Sequence, residues 1–166
     1  MTKRTPRAGF YVPGNYAPEE SVGLLMKRVL ASIVGRAEAR LKPHGVTHAQ
    51  WHPLFRLREA GRPKAVVALA RELRMDTGAM TRLIDRLERK RLCRRVRSTE
   101  DRRIVMVELT PSGAEAAAIV PAVLSDVMNA HFAGFSRAEW ESLVQALRRM
   151  LDNADALQSG SSTDPE

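Results

Sequence analysis

Cysteine is nearly absent from this chain. The 166 residues hold one, Cys93, so an internal disulfide is excluded and a reducing, cytoplasmic setting fits. No Cys/His cluster stands at ligand spacing, so no metal site is expected. No apolar run approaches the roughly 20 residues that a membrane-spanning helix needs. The opening MTKRTPRAGFYVPGNY has no apolar core of the kind that marks a secretory signal. Also missing are a phosphate-cradling glycine loop, an HExxH pair and a nucleophile elbow, so neither a cofactor nor a catalytic residue is expected. The one tempting carboxylate pair, Glu100 and Asp101, stands among arginines, where ion pairing keeps it ionised rather than poised for proton transfer. The chain is therefore not expected to be an enzyme.

What is present begins with apolar residues at 44%, enough for a packed core. Acids are the minority charge: 27 Lys and Arg stand against 19 Asp and Glu, a net charge of +8. From Arg82 to Arg103 ten bases meet four acids, so six of the eight net charges fall within 22 residues. That concentration is a patch, and it favours an anionic partner such as nucleic acid over an evenly solvated surface.

Residues 1–16 read as a flexible basic arm whose Phe10, Tyr11 and Tyr16 suggest packing of its distal half. Pro18 suits a first helical turn. The apolar residues from Val22 to Leu41 then keep the spacing of one helical face. Thr47 is an N-cap candidate for a second helix that closes at Gly61. Residues 64–74 form a third helix and 77–91 a fourth, with Met75 to Gly78 as the turn between them, the order of a helix-turn-helix. In the fourth helix Met80, Leu83, Ile84 and Leu87 share one face, while Gly78, Arg82, Asp85 and Arg89 point away from it. Taken alone, that outer face suits either a DNA major groove or plain solvent. Residues 93–97 and 104–109 read as two strands joined by the charged turn 98–103. Pro111 opens a long helix to about Phe135, and Phe135-Ser136 caps a last one.

The fold class that follows is mainly α with a short β-hairpin: a winged helix-turn-helix lobe over 47–110, with outer helices at 17–42 and 111–157, and a disordered tail at 158–166. The outer helices hold more apolar surface than so small a lobe can cover. Pairing across a two-fold axis would bury it, as an alternative to a monomeric bundle.

The segment DTGAMTRLIDRLERKRL, followed by DRRIVMVELT and PSG, resembles the MarR family of bacterial transcription regulators. Thr81-Arg82-Leu83 and Asp85-Arg86-Leu87-Glu88 match its recognition-helix pattern, and Asp101, Arg103, Leu109 and Thr110 match its wing pattern. One departure is Arg91, where the family usually has a glycine. The resemblance implies a homodimer on double-stranded DNA, binding a short pseudo-palindrome, with Arg103 in the minor groove and Asp101 orienting its guanidinium. Thr77, Gly78, Ala79, Thr81, Arg82 and Arg86 become candidates for the major groove, Arg82 first among them for a base contact. Arg89, Arg94, Arg95, Arg97 and Arg102 become candidates for phosphates.

The resemblance also implies a small-molecule effector, commonly an aromatic carboxylic acid, lodged between the dimer helices and the DNA-binding lobe. His48, Trp51, His52 and Phe55, with Arg36 and Arg40 on the first helix, offer stacking and a cation near that junction. The plainer reading places Trp51 and Phe55 in the core and the histidines at the surface. Two other functions stay open: an architectural DNA binder without effector, and redox sensing through Cys93, whose arginine neighbours would raise thiol reactivity.

Overall fold

The computed structural model describes residues 9–12, 14, 17–97 and 104–160. The wing tip with Asp101, Arg102 and Arg103, most of the N-terminal arm including Tyr16, and residues 161–166 lie outside the described residues. Helices α1 (Val22–Leu41), α2 (His48–Ala60), α3 (Val66–Glu72) and α4 (Thr77–Arg89) precede the wing strands. Strand β1 (Lys64–Ala65) lies between α2 and α3, and β2 (Cys93–Arg97) and β3 (Val105–Leu109) follow α4. Helices α5 (Pro111–His131) and α6 (Arg137–Gly160) complete the chain. The architecture is that of a winged helix-turn-helix with flanking helices, as the residue pattern predicts. None of the described helices is long and apolar enough to cross a membrane.

The chain divides into two compact units, one up to Val127 and one from Met128 onward, with the boundary inside α5. In the first, Leu41 of α1, Leu54 of α2, Leu69 of α3, and Met80, Ile84 and Leu87 of α4 are fully buried with Val107 of β3 and Val120 of α5. Each comes from the apolar face of its element, so burial follows the 3.6 and 2.0 periodicities. Along the first half of α1 the apolar residues Val22, Leu25, Met26, Val29 and Leu30 are exposed. At its start, the Val22 N–H donates to the Tyr11 hydroxyl at 2.9 Å, while Phe10 is fully exposed.

In the second unit α6 begins with a reciprocal cap. The Ser136 N–H donates to the Glu139 carboxylate at 2.7 Å, and the Glu139 N–H donates to Ser136 Oγ at 3.3 Å. Leu143, Met150, Leu151 and Leu157 are exposed along it.

Several boundaries differ from the sequence reading. Lys64 and Ala65 form a strand rather than the start of a helix, pairing with Val107 and Met106 to make a three-stranded antiparallel sheet ordered β1-β3-β2. Two residues carry no period of their own. Their extended state is set by the free edge of β3, which only the folded chain supplies. Helix α4 stops at Arg89 and α5 at His131, where Gly134 turns the chain at φ 87°. Helix α6 continues through Gly160, past the point where the polar tail was expected to begin.

Candidate nucleic-acid interface

The recognition helix is fixed at both ends by local chemistry. At its start Asp76 is the N-cap, with Oδ1 accepting from the Ala79 N–H at 2.9 Å. Gly78 lies against that cap: a Cβ there would stand 3.1 Å from Asp76 Oδ1 and 3.6 Å from the Arg82 guanidinium.

At its end the helix closes with two backbone bonds, Leu92 N–H to Leu87 carbonyl at 3.0 Å and Arg91 N–H to Glu88 carbonyl at 2.8 Å. This is the Schellman pattern, and it requires a left-handed residue at Arg91, which has φ 58°. The helix thus ends as the family's usual glycine would end it, but on a side chain that pays for the conformation. Arg74, closing α3, is left-handed in the same way at φ 49°. The left-handed turn into the wing is therefore present despite the missing glycine.

Between these ends Met80, Leu83, Ile84 and Leu87 are buried, Ala79 is half-buried, and Thr77, Gly78, Thr81, Arg82, Arg86 and Arg89 are exposed. The expected division into an apolar inner and a basic outer face is present. The exposed Thr81 donates its hydroxyl to the Thr77 carbonyl at 2.8 Å. Among the described residues Arg82, Arg86 and Arg97 carry no carboxylate partner. Arg89 Nε reaches only the Asp85 carbonyl, at 3.4 Å.

Arg94 and Arg95 are placed differently. Arg94 stands opposite Glu108 in the β2–β3 register and binds its carboxylate at 2.7 Å. Arg95 forks between two carboxylates of α4, holding Asp85 at 2.6 Å and Glu88 by a second ion pair.

Lys90 and Thr110 support this region from behind; Lys90 did not stand out in the sequence, and Thr110 did so only as part of the wing pattern. Lys90 Nζ donates to the Gly45 carbonyl at 2.8 Å and to Gln50 Oε1 at 2.9 Å. The Thr110 hydroxyl donates to the Arg91 carbonyl at 2.6 Å and accepts from the Gly113 N–H at 3.0 Å. Gly113 lets α5 sit directly on the end of α4, since a Cβ there would fall 1.7 Å from the Leu92 carbonyl oxygen. The signal for Thr110 and Gly113 was the sequence Thr110-Pro111-Ser112-Gly113, an N-cap followed by proline at N1.

Of the expected effector residues, four meet on α2. Trp51 stacks on His52 with centroids 4.3 Å apart, and lies 6.3 Å from His48 and 6.4 Å from Phe55. Burial, then the Arg56 and His48 charges, lower the pKa of His52. Arg40 pairs instead with Asp126 at 2.9 Å, and Arg36 is exposed. A shallow cleft of about 280 Å³ lies elsewhere, lined by Leu57, Arg58, Arg62, Glu108 and Leu109 among others. Cys93 is buried, its thiol within 3.8 Å of the Ile84 carbonyl. Burial pushes its pKa up to about 11, helped by the Glu88 charge and opposed by Arg95. The arginines around it in sequence therefore do not make it a thiolate.

Residues 46–105 match the model of the MarR family. The structure is similar to that of Bordetella bronchiseptica BpsR, described with the regulation of its DNA binding by 6-hydroxynicotinic acid, at 28% identity and a TM-score of 0.74, covering 84% of this chain and 99% of that one. It is similar to a variant of Escherichia coli MarR complexed with operator DNA, at 28% identity and a TM-score of 0.71, covering 78% and 92% of the two chains. A probable transcriptional regulator from Pseudomonas aeruginosa matches at 26% identity and a TM-score of 0.71, covering 81% and 99%. With the recognition helix and wing above, residues 46–105 carry a match to the MarR family, and the solved structures that the chain resembles are DNA-binding transcription regulators of that kind.

Proposed function

We propose that this chain acts as a repressor that binds a pseudo-palindromic operator as a homodimer and is released by a small aromatic acid. The observation that carries the reading is helix α4. Its inner face is sealed into the core while Arg82 and Arg86 project from the outer face without carboxylate partners among the described residues. A helix presented in this way suits a major groove, with Arg82 as base reader and Thr77, Gly78, Ala79, Thr81 and Arg86 at neighbouring edges and phosphates. Arg89, Arg94, Arg97 and Arg102 add phosphate contacts. By position in the wing motif, Arg103 reaches the minor groove with Asp101 holding it. The exposed apolar residues of α1 and, separately, of α6 support self-association through residues 17–42 and 111–157. The operator complex of E. coli MarR supports DNA as partner.

The His48–Trp51–His52–Phe55 ring cluster is the proposed seat of the effector, with Arg36 as its cation. An aromatic acid regulates DNA binding in BpsR, which favours the same class here. Selection of duplexes from a random pool tests the first half of the proposal: one enriched sequence with inverted half-sites is expected, and an unenriched pool would point to an architectural binder. Titration of aromatic acids against the bound duplex tests the second half, through release that Trp51→Ala abolishes.

A further inference from the structure

Arg95 lies on β2, an edge strand of the wing sheet, yet its backbone N–H and two guanidinium nitrogens are bonded to the recognition helix. Its backbone N–H donates to Glu88 at 3.0 Å, its guanidinium reaches Asp85 at 2.6 Å, and a second nitrogen pairs with Glu88. Asp85 and Glu88 are three residues apart, so one planar fork spans one turn of α4, a geometry that lysine cannot copy. The side chain is 29% exposed, against 68% for Arg94 at the neighbouring position. Asp85 and Glu88 are also the only acids between Arg82 and Arg97. Left unpaired they would oppose the arginines of the same helix.

We infer that Arg95 serves DNA binding as a positioning residue. It clamps the wing's edge strand to the recognition helix through Asp85 and Glu88 and cancels their charge beside the DNA-facing arginines, without itself contacting phosphate. This rests on the reading of α4 as the DNA-binding helix.

The test measures affinity of the full chain for a duplex that the wild-type protein enriches from random DNA, across a salt series, with melting curves as folding control. Arg95→Gln should weaken binding about tenfold, as removal of a shared network member does. The slope of log affinity against log salt should stay near the wild-type value. Loss of a phosphate contact would lower that slope by about 0.9.

Asp85→Asn should restore affinity in the Arg95→Gln background by at least about fivefold more than it changes the wild type. Arg95→Lys, which keeps the charge and the fold but not the fork, should lose most of what Arg95→Gln loses. Any of three results overturns the proposal: a slope lowered by about 0.9, equal effects of Asp85→Asn in both backgrounds, or wild-type affinity in Arg95→Lys. A wild-type protein that enriches no duplex would instead overturn the DNA-binding reading on which it rests.

Discussion

Arg91 shows how a single side chain can hold a conformation that favours glycine. Its φ of 58° is close to the 59° of Gly61, which ends α2, and each residue's N–H donates to the carbonyl three residues back. A non-glycine residue there costs about 1 kcal/mol. Arg91→Gly is therefore expected to raise stability by about 1 kcal/mol, read as a higher Tm, with the wing geometry unchanged. A lower Tm would mean that the guanidinium makes a stabilising contact larger than the strain.

His52 supplies a second prediction at this scale. Its folded pKa lies below the ordinary 6.5, so the unfolded chain binds a proton more readily. Stability then falls as pH drops from 6.5 toward 5, and is fully present above 6.5. The depressed carboxylates Glu72 and Glu139 act only below about 4.5. Comparing melting at pH 5 and pH 7 for wild type and His52→Gln isolates the contribution. The variant should show the smaller difference, and an equal difference would remove His52 as the cause.

Among the elements, the junction of α4, β2 and α5 is closely packed at Gly113. Gly113 lets the first turn of α5 lie on the Leu92 carbonyl, and a methyl group cannot be fitted at 1.7 Å. Gly113→Ala is expected to cost about 3 kcal/mol, an overpacking penalty at a backbone contact that cannot yield. Chemical denaturation checks this, and a loss under 1 kcal/mol would mean that α5 can shift without cost.

Helices were legible because their apolar residues repeat and their caps are local: Thr47 with Gln50, Asp76 with Ala79, and Ser136 with Glu139 all lie within four residues of each other. The basic face of α4 was legible for the same reason. Strand β1 was not, because its only determinant is a partner more than 40 residues away. The fork of Arg95 was equally hidden. In sequence Arg94 and Arg95 are alike, and only strand alternation combined with the docking of β2 on α4 sends one toward Glu108 and the other toward Asp85 and Glu88.

For the whole molecule, exposed apolar residues on α1 and on α6 are expected to drive self-association. Light scattering at micromolar concentration should give twice the chain mass. Leu30→Glu, placing a charge among the exposed residues of α1, should shift the mass toward the monomer and weaken operator binding with it. Retention of the dimer would move the interface off α1.

The central claim is that two copies present α4 to adjacent major grooves with their wings beside them. Hydroxyl-radical footprinting on the selected duplex tests it most directly. The account predicts two protected half-sites about one helical turn apart, with flanking minor-groove protection that Arg103→Ala removes while the central protection persists. A single continuous footprint without two-fold symmetry, unchanged by Arg103→Ala and by Arg82→Ala, would contradict it.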